Sequence, residues 1–141
     1  MILLENQTNF EIDLTLLEEI VNYLKIRKDI ELIITDNKTI CEYNREYRGI
    51  NKATDVLSFP LEDIEFMPLG SIVISIEKAQ EVAQKLHHTV EDELALLFIH
   101  GLLHLLGYDH EVDNGEMREL ESSIIENFNL PKSLIVRTQG E

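Results

Sequence analysis

Hydrophobic positions along this chain follow two rhythms, short runs of strand character and longer stretches repeating every three or four residues. Ile2-Leu3-Leu4 reads as a first strand, and Leu14, Leu17, Val21 and Leu24 follow at helical spacing behind the capping candidates Asp13 and Thr15-x-x-Glu18. The β-branched run from Ile30 to Thr35 predicts a second strand. Asp36 then stands where it can cap a helix that carries Ile40, Tyr43 and Tyr47 and stops at Gly49. Asp55-Val-Leu-Ser-Phe59 is strand-like and halts at Pro60, Leu61 to Leu69 reads as an acidic loop, and Ser71 to Ile76 is the clearest strand.

Beyond that strand the period becomes helical again. Ala79, Val82, Ala83 and Leu86 predict an amphipathic helix ending near His87-His88, two histidines read as polar residues of a helix terminus and left out of any site. Thr89-x-x-Asp92 can cap a further helix, with acidic residues in its first turn where the helix dipole favours them. From Leu94 to Leu106 every residue except His100, Gly101 and His104 is apolar, so this helix is apolar all round and expected to be buried. Met117, Leu120, Ile124, Ile125 and Phe128 predict a last helix ended by Pro131, and the tail from Lys132 to Glu141 is weakly patterned. Four strands interleaved with helices predict an α+β (mixed α/β) fold. In it, a mixed sheet of about four strands carries packed helices, one of them a central, buried, metal-bearing helix.

Composition adds limits rather than elements. The 141 residues suffice for one domain, 1–141, with a sizeable core. No apolar stretch approaches the roughly 20 residues of a membrane span, and Met1-Ile-Leu-Leu-Glu5 lacks the features of a signal peptide, so a cytoplasmic chain without membrane contact is expected. The single Cys41 has no partner for an internal disulfide and reads as a small buried apolar residue. Twelve basic residues against 27 acidic ones give a net charge of −15, an awkward balance for gripping a polyanion. Arg45, Arg48 and Lys52 nevertheless form a local basic patch opposed only by Glu46, whereas Glu62, Asp63, Glu65 and Glu91-Asp92-Glu93 are acidic clusters.

The chemistry concentrates in His100-Gly-Leu-Leu-His104-Leu-Leu-Gly107-Tyr-Asp-His110. Residues four apart on a helix share a face, so His100 and His104 can present two imidazoles to one metal ion. Gly107 can take the left-handed conformation that turns the chain and brings His110 back as the third ligand. Three protein ligands leave a zinc ion's fourth position to water, the arrangement of catalytic rather than structural zinc. The spacing is that of metzincin proteases, but the position of their general base is occupied by Gly101, which cannot move a proton. A zinc peptidase is thus the alternative, with a non-catalytic protein that uses zinc only for structure as another. Neutral imidazoles leave the metal its full charge, which suits cleavage of a phosphodiester, and Arg48 is the best-placed guanidinium to clamp the phosphate.

The His100–His110 segment resembles the signature of the YbeY family of single-strand-specific metallo-endoribonucleases. Asn44-Arg-Glu-Tyr-Arg48 and Thr54-Asp-Val-Leu-Ser-Phe-Pro60 also match the family, at the expected place upstream. The resemblance implies one zinc per chain on His100, His104 and His110, and an Arg48 that contacts substrate or transition state. It further implies action on ribosomal RNA, in small-subunit 3′-end maturation and ribosome quality control, with the ribosome or its associated proteins as partners. One departure is visible, Gly70-Ser71 where the family usually has Gly-Asp.

Overall fold

Successive side chains of a strand point to opposite faces of its sheet, and two strands of this chain bury residues on both faces. The computed structural model describes residues 1–108 and 115–131. Its elements are β1 (Ile2–Asn6), α1 (Thr15–Tyr23), β2 (Ile30–Thr35), α2 (Asn37–Arg48), β3 (Val56–Pro60), β4 (Gly70–Ser75), α3 (Ile76–Leu86), α4 (Val90–Leu105) and α5 (Glu116–Asn127). Among the described residues the sheet has the order β1-β2-β4-β3, with β1, β2 and β4 parallel and β3 antiparallel along β4. The expected α+β class and four-stranded mixed sheet are therefore observed.

The two inner strands explain the layering. Ile30, Leu32 and Ile34 of β2 register with Gly70, Ile72 and Ile74 of β4, and this face carries the larger core with Leu17, Ile20 and Val21 of α1, the apolar length of α4, and Ile124 and Ile125 of α5. On the other face, Leu57, Val73 and Ile40 form a smaller core under α2. A helix covered by other elements all round has no need of a polar face, which is why α4 could be read as buried from its composition. Phe98, Ile99, Leu102 and Leu103 are all fully enclosed.

Several ends differ in detail from the sequence pattern. Ile76 opens α3 rather than closing β4, because the Ser75 hydroxyl accepts the Lys78 N–H and caps the helix there. At α1, Asp13 accepts the Thr15 N–H at 2.9 Å, but Glu18 does not complete a capping box. Its carboxylate instead accepts the Ile2 N–H at 2.6 Å and ties the helix to β1. Cys41 is only partly buried, with Sγ 3.6 Å from Asn51 Oδ1, since α2 covers the sheet with one face and leaves its flanks open. Helix α5 stops at Asn127, before Pro131 is reached. Among the described residues no helix is long and apolar enough to cross a membrane.

Candidate functional site

Two neighbouring turns of α4 bring His100 and His104 to the same side, with ring centroids 6.0 Å apart. The helix is held against the edge of the sheet by a close approach at Gly101. A Cβ there would lie 2.9 Å from Ile72 Cγ2 and 3.1 Å from Ser58 Oγ, and the Ser58 hydroxyl donates to the Gly101 carbonyl at 3.1 Å. Only a residue without a side chain permits this contact. The same fact disposes of a protease-like glutamate, which would be driven into Ile72 and Ser58.

Gly107 ends the helix as its place in the sequence predicts. Its φ is +98°, the Gly107 N–H bonds the His104 carbonyl at 3.0 Å and the Tyr108 N–H bonds the Leu103 carbonyl at 3.0 Å, the paired bonds of a Schellman termination. The turn also brings the Tyr108 carbonyl 3.0 Å from His104 Nδ1. A carbonyl oxygen can only accept, so Nδ1 of His104 carries the proton and Nε2 the lone pair. His100 Nδ1 lies 3.0 Å from Oε1 of Glu121, whose side chain is fully buried on α5.

Arg48 reaches the same place from the other side. Asp36 caps the start of α2 by accepting the Thr39 N–H at 2.8 Å, and Gly49 closes its end in a left-handed conformation. The buried Asn44 amide donates to the Lys52 carbonyl at 2.9 Å and anchors the turn that follows. Arg48, at the last position of α2, lines a cleft of about 590 Å³ together with Ser58, His100, His104 and Tyr108. The structure thus brings three of the four expected site residues together. The fourth, His110, lies outside the described residues, and among the described residues no three candidate ligands converge. His87 and His88 do not line the cleft. Ser71 pairs with Phe59 in the ladder and lines a pocket on the α2 face of the sheet, so the Gly70-Ser71 departure falls on the side away from the histidines.

Glu121 and the Tyr108 carbonyl were not anticipated as parts of the site. Tyr108 contributes a backbone atom, which no side-chain pattern reveals. Glu121 did leave a trace, a carboxylate on the apolar face of α5 between Met117 and Ile124, where helical spacing calls for another hydrophobe.

Imidazoles with oriented ring nitrogens, on a buried helix and facing a guanidinium across a polar cleft, are the equipment of a hydrolase acting on an anionic substrate. The comparisons narrow that class. Residues 4–129 match the family model described as Endoribonuclease YbeY. Proteins named endoribonuclease YbeY from Nautilia profundicola and Helicobacter pylori are each 58% identical over 139 residues, covering 99% of this chain and 99% of theirs. The solution structure of a Thermotoga maritima protein, 33% identical, superposes with a TM-score of 0.67 over 91% of this chain and 89% of that one. The chain belongs to the YbeY endoribonuclease family. The peptidase and non-catalytic alternatives find no support among these relatives.

Proposed function

We propose that this chain is a zinc-dependent endoribonuclease that cleaves single-stranded RNA in the course of ribosomal RNA processing, the small-subunit 3′ end and ribosome quality control included. The observation that carries the reading is the cleft itself, in which Arg48 of α2 faces His100 and His104 of α4. The donor set fits a zinc ion. Proton placement on Nδ1 makes Nε2 of His104 the ligating atom, and the Glu121 carboxylate beside Nδ1 of His100 favours the same tautomer there, the carboxylate–histidine pairing common around bound zinc. A cation on that imidazole would also offset a carboxylate that is otherwise costly to bury. His110 would complete the set. When bound, the ion supplies Lewis acidity toward phosphate oxygens and makes water more acidic.

The chain's own residues do the rest. Arg48 clamps the scissile phosphate through two N–H groups and offsets the charge that develops on its oxygens. Glu121 and the Tyr108 carbonyl hold the imidazole rings in place while this happens. The net charge of −15 leaves little long-range attraction for RNA, so recognition in the cell is supplied by the ribosome or a ribosome-associated partner, in the cytoplasm. Cleavage of a single-stranded oligoribonucleotide, but not of the same sequence in a duplex, is the expected result with purified protein. Equal cleavage of both would remove the strand preference.

A further inference from the structure

On the far side of the edge strand β3 from the histidines, three aromatic rings stand together. Tyr43 and Tyr47 stack with centroids 6.1 Å apart and planes at 22°, and Tyr47 meets Phe59 edge-on at 5.5 Å. They line a largely apolar pocket of about 370 Å³ over Ile33 and Val73. Core packing accounts for Tyr43 and Phe59, which are partly buried against Ile40, Leu57 and Val73. It does not account for Tyr47, which is 62% exposed.

We propose that this pocket is a stacking subsite for an unpaired nucleobase of the RNA strand whose backbone occupies the cleft. The proposal takes the ligand's class from the RNA-cleaving reading and does not depend on the metal.

Continuity is the first support. Tyr47-Arg48 and Ser58-Phe59 are consecutive pairs, and in each pair one residue lines the cleft while the other lines the aromatic pocket. The two lie on opposite faces of the sheet, and because β3 is its edge strand, an RNA strand whose phosphate meets Arg48 reaches Tyr47 by passing around that edge. Charge is the second support. The end of α2 and the turn after it carry Arg45, Arg48 and Lys52 against Glu46 alone, all exposed, whereas the loop beyond Pro60 carries Glu62, Asp63 and Glu65, which repel a polyanion. Chemistry is the third. Every base has a π-face, so stacking on tyrosine holds a strand without reading its sequence, and a ring with few rotatable bonds loses little entropy on contact. A chain with few cations to spend on phosphates gains most from such an uncharged contact.

The test is equilibrium binding, by fluorescence anisotropy at low ionic strength, of a short 2′-O-methyl oligoribonucleotide and of the same strand with its bases removed. Tyr47→Leu should weaken binding of the base-bearing strand by about 5- to 150-fold, the range for loss of one base–aromatic stack, while Tyr47→Phe binds as the wild type does. The abasic strand should bind the wild type and Tyr47→Leu equally, and these ratios should be the same with metal bound or removed. Binding of the base-bearing strand by Tyr47→Leu at wild-type strength would overturn the proposal. So would wild-type protein that binds abasic and base-bearing strands alike, a result that involves no variant and no question of folding.

Discussion

At the scale of single residues, the site depends on how each charged or ligating group is held. Arg48 is exposed at the rim of the cleft, and among the described residues it makes no ion pair. Arg48→Ala should therefore leave folding and metal content unchanged while reducing RNA cleavage by about 10²–10³, the scale of losing one charge-stabilising donor. Arg48→Lys should restore little, because an ammonium cannot make the bidentate contact. Near-normal turnover by Arg48→Ala at matched metal occupancy would reduce the residue to a helix-terminal surface charge. Glu121 presents the opposite case, a fully buried carboxylate against His100. Glu121→Gln keeps the shape and removes the charge, so chelator competition should show metal affinity lower by about 10- to 100-fold. The metal-free variant should melt no earlier than metal-free wild type, since an expensive buried charge is gone. An unchanged metal affinity would make Glu121 a packing residue only.

At the scale of elements, α2 and α4 carry the candidate site, and both were legible because local chemistry agrees with tertiary context. Asp36 and Gly49 bound α2, and Thr89 and Gly107 bound α4, as capping preferences suggest. What stayed hidden lies between elements. The bond from Glu18 to β1, the approach of Gly101 to Ile72 and the contact of Glu121 with His100 join residues far apart in the chain, and a single sequence shows such pairs only as isolated oddities. The placement of Arg48 opposite the histidines was likewise suggested by family resemblance and not by spacing. His110, the third ligand expected from the sequence, lies outside the described residues. The Asp36 cap offers a test of α2 as a support. The Thr39 backbone N–H holds the Asp36 carboxyl below the usual carboxylate range. A pKa lowered by folding stabilises the protein above the unfolded-state value, about 4, and that contribution fades as pH falls through the folded value. Asp36→Ala should cost about 1 kcal/mol at pH 7, read from urea denaturation, and the gap to wild type should narrow below pH 4. A gap independent of pH would show that the carboxylate charge contributes nothing to the cap.

At the scale of the whole molecule, two distributions divide the work. Apolar surface gathers on one face of the sheet around α4, which makes the helix rigid enough to hold imidazoles at a fixed separation. Charge is one-sided, 27 acidic residues against 12 basic, and the cleft adjoins one of the chain's local basic clusters, that of Arg45, Arg48 and Lys52. Metal bound by the folded chain alone should also raise its melting temperature, in proportion to the affinity and concentration of the ion. The most direct measurement combines metal content with cleavage of single-stranded RNA on the same samples of wild type and His100→Ala. Wild type should carry one zinc per chain and cut RNA, with activity lost to a chelator and recovered on adding zinc, whereas His100→Ala should lose both metal and cleavage. RNA cut at an undiminished rate by metal-free wild type, or by His100→Ala, would contradict the assignment of the histidine cleft as the catalytic centre.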